Sequence, residues 1–157
     1  MKLNIGDPAP NFAIPDQDGI VHKLSDYAGR KLAIYFYPKD DTPGCTAQAC
    51  NLRDNYYDLR QKGYEVIGVS VDNEKSHLKF IQKFELPFTL LSDTNHEMVE
   101  AYGVWQEKSM YGRTYMGTMR YTFIIDEKGI IQNIITKVDT KEHATQIVES
   151  LDWENGK

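Results

Sequence analysis

A chain of 157 residues is long enough to bury a self-sufficient core, and 41% hydrophobic with 26% charged residues is the mixture of an ordinary soluble domain. Its formal net charge of −5 argues against nucleic acid or an anionic membrane surface as partner. The opening MKLNIGDPAPNF has no apolar leader, and no apolar run approaches the ~20 residues of a spanning helix, so a cytoplasmic protein with no membrane attachment is expected.

The Pro-, Asp- and Gly-rich opening reads as loop and turn, with a short hairpin around Phe12–Ile14 and Ile20–Leu24 about the turn Gln17-Asp18-Gly19. Leu32–Tyr37 is a continuous apolar and aromatic run ending at Pro38, the pattern of a buried strand, and Tyr64–Val71 is another. Between them Ala49, Leu52, Tyr56 and Leu59 fall on one stripe, which predicts a helix from Pro43 to about Lys62. A second helix spans Glu74–Phe84, and Thr94-Asn95-His96-Glu97 has the form of a capping box opening a third. Arg120–Asp126 and Ile130–Val138 read as an antiparallel strand pair turning at Glu127-Lys128-Gly129. Ala144, Ile147, Val148 and Leu151 form the apolar face of a closing helix. The order β-β-β-α-β-α-β-α-β-β-α combines parallel crossovers with an antiparallel hairpin, and so predicts a three-layer α/β domain, a mixed sheet between helices. No linker, internal repeat or low-complexity segment divides residues 1–157, so one domain is expected.

The chain's two cysteines, Cys45 and Cys50, stand within the stretch PKDDTPGCTAQAC. Thr42 is a good N-cap and Pro43 suits the first helical position, which puts Gly44 and Cys45 in the first turn. Unpaired backbone N–H groups and the positive end of the helix dipole converge there and favour a thiolate, so Cys45 is expected to be nucleophilic at neutral pH. Seven residues separate Cys45 from Leu52, close to two turns, so the thiol continues the inward stripe. Gly44 leaves room for a substrate to approach the backbone. The alternative for Cys45 is a small buried hydrophobe.

The C-x4-C spacing is not that of a C-x-x-C redox pair, and His22, His77, His96 and His143 are scattered without the spacing of zinc ligands. No Gly-rich phosphate loop is present, so neither a metal nor an organic cofactor is expected. The aromatic stretch from Tyr102 to Tyr115 reads first as packing. Its Lys108 and Arg113 are a poor case for nucleic acid at this net charge, and Met110, Met116 and Met119 are an adaptable apolar edge for an apolar ligand.

The segment YPKDDTPGCTAQACNLRDNY closely resembles the active-site segment of peroxiredoxins, in particular the bacterioferritin-comigratory or Q-type subgroup, whose motif is P-x-x-x-T-P-G-C-T-x-x-x-x-C. The resemblance extends through GVSVD, FTLLSD, YGVWQEKSMYGRTYMG and RYTFIID, nearly the whole chain. It implies a thioredoxin-like fold and a thiol-dependent peroxidase acting on hydrogen peroxide and organic hydroperoxides. Cys45 is then the peroxidatic cysteine, which becomes a sulfenic acid, and Cys50 the resolving cysteine, which closes a disulfide that thioredoxin reduces. Thr42 offers its hydroxyl, Cys45 its backbone N–H and Arg120 its guanidinium to the departing oxygen, while Pro38 and Pro43 wall the pocket. Arg120 alone reads as a surface charge opening an edge strand; only the match to the family's R-x-T-F segment promotes it. An intrachain cysteine pair needs no partner subunit, which favours a monomer.

The competing readings are a general disulfide oxidoreductase, a redox-sensing module that does not turn over, and an inert domain with ordinary thiols. Rapid catalytic consumption of peroxide separates the peroxidase from all three.

Overall fold

A computed structural model describes the backbone of residues 2–155 and the side chains of residues 2–150. Along the chain, β1 (Ala13–Pro15) and β2 (Val21–Lys23) form a small antiparallel hairpin. Its turn is held by Asp16, whose Oδ1 accepts from the backbone N–H groups of Asp18 and Ile20. A single 3-10 turn leads to β3 (Lys31–Phe36), followed by α1 (Pro43–Asp54), α2 (Tyr56–Gln61), β4 (Tyr64–Ser70), α3 (Glu74–Phe84), β5 (Thr89–Ser92) and α4 (Glu97–Ala101). The chain closes with β6 (Trp105–Met110), β7 (Arg113–Thr118), β8 (Thr122–Ile125), β9 (Ile131–Ile135) and α5 (His143–Asn155).

The apolar run predicted as a buried strand becomes the centre of a five-stranded sheet, order β5-β4-β3-β8-β9. β3 runs parallel to β4, which runs parallel to β5; the β3–β8 and β8–β9 pairs are antiparallel. Successive side chains of a strand point to opposite faces, and here both faces are covered. Leu32, Ile34 and Phe36 enter one core with Phe12, Ile14, Met98, Val99, Tyr102 and Val104. Ala33, Tyr35 and Tyr37 enter the other, against Cys45, Ala49 and Leu52 of α1, Leu59 of α2, Phe80 of α3, and Ala144 and Ile147 of α5. The mixed sheet flanked by helices and the N-terminal hairpin are as expected.

The predicted helix from Pro43 to Lys62 breaks at Asn55, whose backbone leaves the helical region (φ −114°, ψ 7°) and whose Nδ2 donates to Asn51 O. An Asn side chain bonded to nearby backbone competes with the helix's own ladder. The capping box at Thr94 does not form. His96, with φ +62°, precedes α4 instead, and Asp93 Oδ2 accepts from the backbone N–H of Val99. Residues 105–118 form an antiparallel ribbon, β6–β7, turning at Tyr111 (φ +52°) and Gly112 (φ +77°). That turn has the two positive φ values a two-residue hairpin loop needs. The ribbon pairs with no other strand among the described residues. β8 and β9 are shorter than predicted, and β8 lies inside the sheet, so Arg120 stands two residues before an interior strand instead of opening an edge. Leu151, the last position of the predicted closing face, lies outside the described side chains.

Candidate active site

β3 delivers the chain to the end of the sheet, where Pro38–Asp41 turn it into α1. Asp41 takes the left-handed conformation (φ +57°), and Thr42 is extended (φ −97°, ψ 155°) in the N-cap position. Pro43 takes the first helical position, where its missing N–H costs nothing. Cys45 therefore sits in the first turn, where backbone N–H groups lack partners within the helix. It is 1% exposed and packs with Tyr35, Tyr37, Ala49 and Leu52. Cys50, about one and a half turns on, is half-buried, and both thiols are free.

Arg120 reaches the thiol from the connection between β7 and β8. Its Nη2 donates to Cys45 Sγ at 3.3 Å and its Nη1 to Gln48 Oε1 at 2.8 Å. One planar guanidinium thus spans the sulfur and a side chain one turn further along the same helix, a geometry that fits Arg and not Lys. Gly44 eases the approach: a Cβ at that position would lie 3.2 Å from Arg120 Nη2, a tight contact that the guanidinium would have to yield to. Gln48 is fully buried and, among the described residues, neither its Nε2 nor the hydroxyl of buried Tyr35 has a hydrogen-bond partner. Burial first, and then the neighbouring Cys45, hold the Tyr35 phenol well above its ordinary range, so it is a neutral wall of the pocket. Lys108 on β6 lays its stem over Gly117, and burial and the charge of Arg120 push its ammonium below the usual lysine range.

Of the candidate residues, Arg120 and Cys45 are in contact, and Thr42 stands differently from expectation. The hydroxyl of Thr42 donates to Lys39 O at 2.9 Å, so in this state its oxygen is an acceptor toward the pocket, not a donor. Pro38 is half-buried and Pro43 is exposed.

The sequence reading passed over Asp40 and His77, a buried acid–base pair beside this loop. Their separation along the chain leaves no local signal of contact. It also assigned no structural role to Asn51, which ties α1 to the start of α5: its Nδ2 donates to Lys141 O and its Oδ1 accepts from the N–H of Ala144.

Residues 5–134 match the model of the AhpC/TSA family. The chain is 47% identical to peroxiredoxin Bcp of Escherichia coli strain K12 over 151 residues, covering 96% of this chain and 95% of that protein. It is 42% identical to peroxiredoxin Bcp of Bacillus subtilis, with 96% of each covered. Among solved structures, it resembles PrxQ of Xylella fastidiosa with a TM-score of 0.91 at 31% identity over 99% of both chains. Peroxiredoxin Q of Xanthomonas campestris gives 0.85 at 34% identity over 90% of both. A first-turn thiol contacted by arginine and these likenesses agree: the chain belongs to the AhpC/TSA family, among the thiol-dependent peroxidases of the Bcp or Q type.

Proposed function

We propose that Cys45 is the peroxidatic cysteine of this peroxidase and Cys50 the cysteine that resolves it, within one catalytic domain. The reading rests on the 3.3 Å contact from Arg120 Nη2 to Cys45 Sγ at the start of a helix that also carries Cys50. The Cys45 thiolate attacks a peroxide oxygen, an S–O bond forms as the O–O bond breaks, and sulfur is oxidised to sulfenic acid. The alcohol or water leaves after taking up a proton. Negative charge gathers on the departing oxygen, which the guanidinium of Arg120, already at the sulfur, and the backbone N–H of Cys45 stabilise as donors. The oxygen of Thr42 accepts the peroxide hydrogen and helps to orient it. Pro38 shields one side.

In the second step the Cys50 thiol attacks the Cys45 sulfenic acid, and a disulfide forms with release of water. On an ideal helix five residues give about 7.5 Å of rise and about 140° of rotation, which places the two Cα atoms roughly 8–9 Å apart. A disulfide needs them within about 6.8 Å. The segment Pro43–Asn51 therefore leaves the helix as the bond closes, while the chain beyond Leu52 stays anchored through Tyr56 and Leu59 of α2. The released disulfide is then accessible to a protein dithiol, a thioredoxin-like reductant, which returns both thiols by exchange. Electrons pass between peroxide, the two sulfurs and that dithiol, so the scheme calls for no bound cofactor. The intrachain pair suits a monomer acting in the cytoplasm on hydrogen peroxide and organic hydroperoxides. Burial of Cys45 to 1% exposure argues against a general disulfide oxidoreductase, whose protein substrates need to reach the sulfur.

A coupled assay with thioredoxin, its reductase and several peroxides, following NADPH, tests the scheme. Cys45→Ser is expected to abolish consumption with the fold intact. Cys50→Ser is expected to reduce one equivalent of peroxide and then stop unless a small monothiol is added. Substantial turnover by the first variant refutes the peroxidatic role of Cys45, and ordinary thioredoxin-linked turnover by the second refutes the resolving role of Cys50.

A further inference from the structure

The loop that carries the thiol is fastened from outside the reacting groups. Asp40 is 7% exposed and His77, on α3, is fully buried. Asp40 Oδ1 accepts from Tyr37 Oη at 2.6 Å, and its Oδ2 accepts from Ser76 Oγ at 2.8 Å and lies 2.7 Å from His77 Nδ1. The other ring nitrogen, Nε2, lies 2.8 Å from Leu91 O. A carbonyl oxygen only accepts, so Nε2 carries a proton, and a second proton is shared between Nδ1 and the carboxylate. The backbone N–H of Asp40 donates to Asp72 Oδ2, which also accepts from Ser70 Oγ. Asp40, Asp72 and His77 lie close enough together to suggest a cation site, but these hydrogen bonds already use the oxygens and nitrogens that would face it.

One loop residue is therefore tied to the ends of β3, β4 and β5 and to α3. The next residue, Asp41, takes the left-handed region at φ +57°, which a non-glycine residue adopts far less readily than glycine. Among the described residues its side chain bonds the exposed Lys83, a weak tie, so the turn leans on the buried fastening at Asp40. That turn sets where Thr42 begins α1, and hence where Cys45 stands relative to Arg120.

We propose that His77 is a positioning residue for the peroxide reaction, acting through Asp40 to hold the loop that presents Cys45, and that this fastening is where the melting of the oxidised helix stops on its N-terminal side. The inference rests on the assignment of Cys45 as the nucleophile. It also accounts for an acid–base pair buried beside the site without touching the thiol.

Removing one member of a buried pair strands the other, whereas removing both for apolar groups is often nearly neutral for stability. The double variant Asp40→Ala/His77→Leu therefore separates positioning from stability. It is expected to melt lower than the unaltered protein, because Tyr37 Oη and Leu91 O lose their partners. Well below its own melting range its Cys45 nevertheless reacts about tenfold more slowly with hydrogen peroxide, since small misplacements cost large factors in rate. Alkylation of Cys45 by iodoacetamide, which needs no aligned Arg120, is expected to be unchanged or faster, a split that simple destabilisation does not produce. Amide exchange in the oxidised double variant is expected to lose protection over residues 39–42. If the double variant fails to fold, Asp40→Asn gives the same comparison with the Tyr37 bond kept, and a twofold or greater loss of peroxide rate is expected. Unchanged peroxide rate together with unchanged protection at 39–42 overturns the proposal. If the unaltered protein itself does not oxidise at Cys45, the nucleophile assignment fails instead.

Discussion

Helices α1 and α3 rest on the same face of the sheet and are nearly equal in length, 12 and 11 residues, yet they are held by different means. α3 begins with a side-chain cap, Asn73 Oδ1 accepting from the N–H of Ser76, and ends where Glu85 turns left-handed and Leu86 N–H bonds Ile81 O. It buries Phe80 against Tyr37 and Phe84, and His77 into the polar fastening. α1 begins with Thr42, which makes no cap bond because its hydroxyl is turned to Lys39 O. Its first two turns bury only Cys45, Gln48 and Ala49; its large apolar anchor, Leu52, and its tie to α5, Asn51, come near the far end. One helix is secured along its length and the other only at its C-terminal half. The contrast shows how a reactive segment can come apart without loosening the sheet: its neighbour supplies the fixed wall.

The most extensive change expected, spanning the most residues, is in the oxidised protein. Amide protection between Thr46 and Leu52 is expected to fall by about tenfold or more on disulfide formation, toward the values of locally open segments, while α3 keeps its own. Full protection of α1 after oxidation breaks the comparison. Next, Phe80→Ala is expected to cost about 3–5 kcal/mol of global stability, as for a well-packed core aromatic. Because α3 is the fixed wall, the variant's remaining folded fraction is expected to keep its peroxide rate, measured by stopped flow below the melting range. Arg120→Met reverses that pattern. The melting temperature is expected to hold within a few degrees while the peroxide rate of Cys45 falls about 10²–10³-fold, the loss seen when one oriented donor to a developing oxyanion is removed. Arg120→Lys is expected to recover only part of it, because an ammonium cannot span both Cys45 and Gln48. Equal peroxide rates for all three return Arg120 to a surface role.

The smallest effect concerns the anchor of α1. His143 opens α5 beside the tie from Asn51, with Nδ1 donating to Gln146 Oε1 and Nε2 accepting from Thr122 Oγ1. Burial first, and also the charge of Arg120, hold this imidazole below its ordinary value of 6.5, against the opposing pull of Gln146. A depressed folded value means the unfolded chain binds the proton first. The stabilisation is therefore complete above the ordinary value and is lost as pH falls below it through the folded value. Melting curves from about pH 8 down to about pH 5, the range in which a histidine titrates, are expected to show a decline that flattens in His143→Gln. The same decline in both proteins assigns it to other groups.

The two helices also differ in how far they could be read from the sequence. Leu32–Tyr37 announced the central strand because burial on both faces leaves an unbroken apolar run, and Thr42-Pro43-Gly44-Cys45 announced the start of α1 because cap and first-turn preferences are local. Arg120 entered only through the family motif, since its contact with Cys45 joins residues 75 apart and leaves no periodic trace. The Asp40–His77 pair, which ties α3 to the loop before α1, was missed for the same reason. The ribbon β6–β7 was missed because its alternation mixes polar and apolar residues on both faces, so no period stands out; only the turn at Gly112 was available as a signal. The break at Asn55 went unread because the apolar stripe continues through it, from Leu52 to Leu59.

The ribbon also offers a practical handle. Its tip, Tyr111, is 98% exposed, and a Cβ added at Gly112 would meet nothing within 4 Å. Since β6 and β7 pair only with each other among the described residues, residues inserted at that tip shift no register in the central sheet. A fluorophore or short peptide tag placed between Tyr111 and Gly112 would leave both thiols untouched, and would allow the redox cycle to be followed on single molecules without adding a third cysteine.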